Sequence, residues 1–320
     1  MNIKFIIIVL GEPYSIFSEI LGKYFSKNKK FKKKIIIIGS KKLFKDQLNR
    51  LNYIFPINEI ANFKEAKKNT VNIINIDFSY DKIFTNISNN SSKYIEKSFK
   101  KSIEIIKKDK NKFVLINGPI SKKTFLNNKY PGITEYLSKK TRSKNEIMLI
   151  YNNTLSVSPL TTHIPIKYVA KKIKKKKIYE NLCNINQFYK DVLRKKMKCA
   201  VLGLNPHCET SDKYSEEDKA IIPAIKNLKN KGLKVDGPFS ADTFFLKKNI
   251  KNYNLVLGMY HDQVLAPIKT LFNFKAINIT IGLPFIRISP DHGPNSDMVG
   301  KNKSDPSSFF YAMEFVNRLN

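Results

Sequence analysis

Four histidines occur in this 320-residue chain, and three of them stand at or just beyond the ends of short apolar runs. His163 closes LSVSPLTTH, His207 closes AVLGLNPH, and His261 follows LVLGMY. In an open α/β sheet, ligands bind outside the carboxyl ends of the strands, so side chains leaving three strand ends can converge on one crevice. Three imidazoles meeting there would hold a catalytic divalent metal and leave coordination positions open for substrate. The separations of 44 and 54 residues match no local zinc motif, and a histidine at a strand end is equally at home as a solvated loop residue. Asn205, Asp262 and Gln263 lie close enough in sequence to hold the second ring nitrogens, as metal-bound imidazoles require. Asp242, within GPFSADTFF, can either move a proton or cap the helix that begins near Thr243.

A second group spans Lys269 to Asn295, where Lys269, Asn278, Arg287, Ser289, Asp291 and His292 surround a Gly282-Leu283-Pro284 turn. Its cations can clamp a carboxylate or phosphate, or form ordinary surface ion pairs. The loop Gly118 to Lys122 can present backbone amides to an anion at a helix start, or serve as a plain strand-to-helix turn. There is no GxGxxG fingerprint and no GxxxxGK loop, so neither a standard Rossmann dinucleotide site nor a Walker-type phosphate loop is indicated. Cys208 follows His207 directly; on an extended strand the two would point to opposite faces, which argues against a thiol nucleophile served by that imidazole.

The elements that must position these groups read as strands separated by helices. Candidate strands are Phe5 to Leu10, Ile35 to Ile38, Phe113 to Ile116, Met148 to Tyr151, Ala200 to Leu204, Leu255 to Met259 and Ala276 to Ile281. Candidate helices are Ser92 to Asp109, Ser215 to Gly232 and Ser307 to Leu319, the last opening after Asp305-Pro306. This order predicts mostly parallel sheets flanked by helices, and the length suits two α/β domains. The turn-rich stretch Asn127 to Pro131 is the best-marked boundary.

The formal net charge of +32 would suit a polyanionic partner, but only five of the 58 basic residues are arginine. A lysine cloud in a chain also rich in Asn and Ile reads as codon bias and solvated surface, so no nucleic acid is expected. The runs Lys27 to Lys34 and Lys171 to Lys177 interrupt apolar stretches and read as exposed helix or loop. Cys183, Cys199 and Cys208 form no CxxC pair and point to a reducing compartment. The apolar run Phe5 to Leu10 is too short for a signal core and reads as a buried first strand. No run suits a membrane span, and a soluble cytoplasmic protein is expected.

The chain resembles the 4-hydroxythreonine-4-phosphate dehydrogenases of pyridoxal phosphate biosynthesis from GEPYSI at Gly11 to the C-terminus. The resemblance is most specific in TTHIPI (Thr161 to Ile166), GLNPH (Gly203 to His207), GPFSADT (Gly237 to Thr243), MYHDQ (Met259 to Gln263) and NITIGLPFIRISPDHG (Asn278 to Gly293). It implies that His163, His207 and His261 are metal ligands for a zinc, magnesium or cobalt ion, with His261 reaching the site from the partner subunit of a homodimer. Asp242 and Asp262 match acidic positions near the metal and are the catalytic candidates. Thr134, Lys269, Asn278 and Arg287 match substrate-binding positions. Gly11, Glu12, Pro13, Ser289, Asp291, His292 and Gly293 are the matching candidates for binding NAD or NADP; the tail Asp291 to Pro306 is similar to the cofactor loop of isocitrate and isopropylmalate dehydrogenases, which bind NAD without a Rossmann fold.

The fold implied is two α/β domains of the isocitrate and isopropylmalate dehydrogenase kind. Residues 1–127 with 282–320 form the cofactor-side domain, 128–281 the metal and dimerisation domain, and the active site lies in the cleft between them. The activity implied is metal-dependent oxidation of 4-phosphohydroxy-L-threonine and decarboxylation to 3-amino-2-oxopropyl phosphate. The alternatives are a phosphorylated four-carbon hydroxy acid as substrate, of the threonate or erythronate type, and a binding homologue with impaired catalysis. The chain departs from the family pattern at Ile133, where an imidazole is usual, and at Ser15, Phe17 and Val264, where glycines are usual.

Overall fold

The computed structural model describes residues 2–121, 124–126, 130, 132–209, 214–273 and 275–319. Its strands, in chain order, are β1 (Phe5–Val9), β2 (Lys34–Gly39), β3 (Ile57–Glu59), β4 (Val71–Asn75), β5 (Phe113–Asn117) and β6 (Ile147–Tyr151). They continue with β7 (Ser156–Thr161), β8 (Lys198–Leu202), β9 (Lys234–Phe239), β10 (Leu255–Tyr260), β11 (Ile277–Ile281) and β12 (Ile286–Pro290). Among the described residues no helix is long and apolar enough to cross a membrane.

The chain divides into two compact units, Met1–Lys144 with Leu283–Asn320, and Asn145–Gly282. Most of the turn-rich segment expected to mark the boundary, residues 127–129 and 131, lies outside the described residues. In the first unit the strand order is β3-β4-β2-β1-β5-β12, and every neighbouring pair is parallel. Helices Phe17–Lys27, Lys41–Arg50 and Ser91–Lys107 are the crossovers. Strands covered on both faces read as unbroken apolar runs, which is why FIIIV and FVLIN are buried almost end to end. The strand order reverses between β1 and β5, so the loops after these two strands form the switch point at which open α/β sheets bind ligands.

In the second unit the order is β11-β6-β7-β10-β8-β9. β6 runs antiparallel to both its neighbours, and the remaining pairs are parallel. The mixed α/β class with mostly parallel pairing therefore holds in each unit. Leu155, Val157, Ala200, Leu202, Val256, Val264 and Ile268 form a core between the sheet and the helix His261–Phe272.

Candidate active site

The three histidines leave the ends of three adjacent strands. β10 lies between β7 and β8, parallel to both. His163 stands two residues past β7, His261 directly follows β10, and His207 lies five residues past β8. Neighbouring strands run about 4.8 Å apart, and the rings of His163 and His261 stand with their centroids 5.8 Å apart. The Nδ1 of His261 is taken by the Asp262 carboxylate at 2.6 Å, leaving Nε2 for a ligand. The donor chemistry of these imidazoles therefore fits a divalent metal. Among the described residues, no three metal-ligating side chains of the chain stand close enough to hold an ion by themselves.

His207 sits in a tight turn, Pro206–Cys208, and not on extended backbone. His207 and Cys208 both adopt left-handed conformations, with φ of 55° and 61°. The strand-alternation reason for setting the Cys208 thiol aside does not apply to such a turn; burial, its largest influence, pushes that thiol's pKa up and keeps it protonated. Asp242 lies in the first turn of the short helix Ala241–Phe244, whose N-cap residue is Ser240. The Ser240 hydroxyl donates to it at 2.5 Å. That bond, with a smaller contribution from the Thr243 amide, holds the exposed Asp242 carboxyl below its usual range.

Lys269 lies eight positions along the helix that His261 opens, and its side chain is exposed. Asn278 is on β11, and its Oδ1 is buried with no hydrogen-bond partner, an acceptor held ready for a donor.

In the first unit, Arg287 on β12 is 1% exposed. Its Nε donates to Asn117 Oδ1 at 2.7 Å and an Nη to Thr134 Oγ1 at 3.2 Å. Burial pushes its pKa down to about 10, opposed by the nearby Glu135, so the guanidinium stays charged at neutral pH. Thr134 is in the first turn of the helix Ile133–Thr141, where free amides and the helix dipole favour an anion.

Of the residues expected to bind the cofactor, Gly11, Glu12 and Pro13 stand at the switch point of the first unit, and Ser289, Asp291, His292 and Gly293 lie on or just past β12. Gly11 has φ of +74°, and a Cβ there would come within 2.3 Å of the Pro119 carbonyl oxygen, so only glycine fits. Glu12 is buried, accepts from Ser91 Oγ at 2.9 Å and donates its own amide to Pro119 O at 2.8 Å. The Pro13 carbonyl accepts from Gln47 Nε2 at 2.9 Å. The Ile16 amide donates to Pro294 O at 3.2 Å, which ties this loop to the one carrying Asp291, His292 and Gly293. Ser289 is half-buried on β12, and the Asp291 amide donates to Ser308 Oγ at 2.8 Å. His292 has a buried Nε2 with no partner, and burial pushes its pKa down to about 4.

Residues 31–316 match the family described as pyridoxal phosphate biosynthetic protein PdxA. The chain belongs to that family. A 4-hydroxythreonine-4-phosphate dehydrogenase of Sulfurihydrogenibium sp. (strain YO3AOP1) is 38% identical over 317 residues, covering 97% of this chain and 96% of the relative. One from Aquifex aeolicus (strain VF5) is 33% identical over 320 residues, covering 98% and 97%. Among solved structures, the 4-hydroxythreonine-4-phosphate dehydrogenase from Klebsiella pneumoniae superposes with a TM-score of 0.81 at 25% identity, covering 98% of each chain.

Two groups beside the candidate residues of this PdxA-family chain, one in each unit, escape a reading of the sequence. Asn117, the partner of Arg287, ends an apolar strand; a buried amide at a strand's carboxyl end was the available signal. Glu217 pins the loop that carries His207, through bonds to Leu204 N at 2.7 Å and Asn205 N at 3.0 Å. Burial alone would raise its pKa, but the bonds from Asn205 and Leu204 outweigh this and hold the carboxyl below its ordinary value.

Proposed function

We propose that this chain is a metal-assisted, NAD- or NADP-dependent dehydrogenase acting on 4-phosphohydroxy-L-threonine. Oxidation at the hydroxyl-bearing carbon followed by loss of carbon dioxide would give 3-amino-2-oxopropyl phosphate for vitamin B6 biosynthesis. The placement of His163, His261 and His207 at the ends of adjacent strands β7, β10 and β8 carries this reading. Membership of the PdxA family and the names of its relatives supply the substrate class.

In this proposal His163 and His207 of one copy, with His261 supplied by the second copy, hold zinc, magnesium or cobalt, which when bound would supply a Lewis acid for the substrate's hydroxyl and carboxylate. Arg287 and Thr134 hold the phosphate, while Lys269 and Asn278 take the remaining polar groups. Asp262 keeps His261 in one tautomer, which leaves Asp242 to accept the hydroxyl proton. The loops Gly11–Pro13 and Ser289–Gly293 orient the nicotinamide cofactor, whose chemistry is to take the hydride. Loss of carbon dioxide from the β-keto acid would leave an enolate, whose charge Lys269 offsets until its carbon takes back the proton held by Asp242, giving the amino-ketone.

A homodimer in the cytoplasm, with the site completed by the second copy, is part of the same proposal. Ile166 and Tyr168 beside the His163 loop, and Leu246 beside the Asp242 helix, are large apolar side chains exposed on the single chain and suited to burial against such a copy. A phosphorylated four-carbon hydroxy acid without the amino group is the second substrate reading, favoured by the apolar Ile133 next to Thr134.

The test is NADH formation by purified protein with 4-phosphohydroxy-threonine, or with threonate 4-phosphate, with and without chelator and beside His207→Ala. Turnover that survives the chelator removes the metal from the mechanism. No turnover with either substrate after metal is added makes the chain a binding homologue.

A further inference from the structure

The ladder between β8 and β10 runs only from Leu255 to Leu257, opposite Cys199 to Val201. Beyond it the strands part, just before the loops that carry His207 and His261. The gap is bridged by a side chain. Gln263 folds back from the first turn of the helix His261–Phe272, accepting from the Met259 amide at 2.7 Å and donating to the Gly203 carbonyl at 2.7 Å. It is 9% exposed. Gly258 leaves room for this turn, because a Cβ there would come within 2.4 Å of a Val264 methyl and 3.1 Å of Gln263 Oε1. On the other side of β10, the Met259 carbonyl accepts from the buried Thr161 hydroxyl at 2.7 Å. A continuous chain, Thr161 to Met259 to Gln263 to Gly203, thus crosses all three strand ends.

Glu217 extends the chain from Gly203 toward His207. It is 1% exposed and opens a π-helical turn, Glu217–Ile221. Besides the Leu204 and Asn205 amides, its carboxylate accepts from Asn205 Nδ2 at 2.6 Å. With those two residues fixed, the backbone enters the left-handed pair His207 and Cys208 from a set direction. Such conformations cost free energy for non-glycine residues and persist only where their surroundings over-determine them. A buried carboxylate whose oxygens are filled by three donors is that kind of surrounding.

We infer that Gln263 and Glu217 are positioning residues of the metal site, which never touch the ion but fix against one another the strand ends of one copy, those that carry His163 and His207 for one ion and His261 for the ion of the second copy. This rests on the metal-site reading above. The two are tested together by titrating metal-free protein with cobalt(II) chloride, following visible absorption and heat, for the wild type, Gln263→Leu, Glu217→Gln and Thr161→Val. Thermal midpoints are measured on the same samples.

Wild type should bind cobalt with a visible d–d spectrum. Gln263→Leu and Glu217→Gln should bind about 10- to 100-fold more weakly with altered bands. Thr161→Val keeps the volume and loses one hydrogen bond, so it covers the case in which a larger change fails to fold; a weakening of roughly three- to tenfold is expected of it. Variants that stay folded and bind cobalt with wild-type affinity and spectrum overturn the positioning role and leave the metal site standing. Wild type that binds no cobalt overturns the metal site and the positioning role with it.

Discussion

Arg287 donates through Nε to Asn117 Oδ1 at 2.7 Å, across 170 residues of sequence. The parallel pairing of β12 with β5, in which Ile288 faces Ile116, brings them together. The fork of Arg287 also reaches Thr134, so one buried cation orients an amide and a hydroxyl at once. Arg287→Lys keeps the charge but loses the planar fork and buries a more strongly hydrated group. It should cost about 2 to 4 kcal/mol of stability, read as a lower midpoint in urea. The KM for a phosphorylated substrate should rise more than about tenfold, with a smaller change in kcat. Unchanged KM in a folded variant would remove Arg287 from the phosphate site.

His292 predicts a stability profile in acid. Its pKa falls from 6.5 to about 4 on folding, chiefly through burial. Between those values the unfolded chain binds the proton and the folded chain does not. Stability is therefore fully present above about pH 6.5 and is lost as pH falls toward 4, by on the order of 3 kcal/mol. Unfolding in urea at pH 4, 5, 6 and 7 should show a steeper loss for wild type than for His292→Gln. Parallel curves would show that the imidazole titrates normally in the folded state.

The strands legible in the sequence are those whose apolar residues run unbroken because both faces are covered, as in FIIIV, KIIIIG and LVLGMY. β12 is as deeply placed but carries Arg287, whose partner Asn117 lies 170 residues away in sequence, so no local pattern marks it. The histidines were legible by position, since a strand end can be read without knowing the neighbours of the strand. That β10 lies between β7 and β8 is a tertiary fact. Glu217 was not legible, because it sits in the run Ser215-Glu216-Glu217-Asp218 and only the π turn decides which acid points inward.

Glu12 is a carboxyl that the fold holds at a cost. Burial raises its pKa, and the bonds from Ser91 and Tyr14 offset this only in part. A raised carboxyl stabilises the folded state most below its unfolded pKa, and that contribution is lost as pH rises through the folded value. Glu12→Gln keeps the shape and removes the buried charge, so at neutral pH it should stabilise by about 1 kcal/mol, seen as a higher thermal midpoint. If the loop serves the cofactor, the KM for NAD should rise in the same variant. A midpoint lower than wild type would mean that the carboxylate is better solvated than its burial implies.

Ile133 opens the helix whose next residue, Thr134, meets Arg287, and it packs against the apolar cluster that includes Tyr136, Leu137 and Phe285. Its half-buried position keeps an apolar side chain where a donor at a helix start could meet an anion. Ile133→His should lose part of that packing, about 1 to 2 kcal/mol, and gain a hydrogen-bond donor beside Thr134. The KM should fall by at least about threefold for 4-phosphohydroxy-threonine and threonate 4-phosphate alike, the worth of one hydrogen bond to the phosphate ester that both carry. Initial rates with each substrate read the two values. Unchanged KM values, with the expected small loss in thermal midpoint, would make Ile133 a packing residue of the first unit with no part in holding the phosphate.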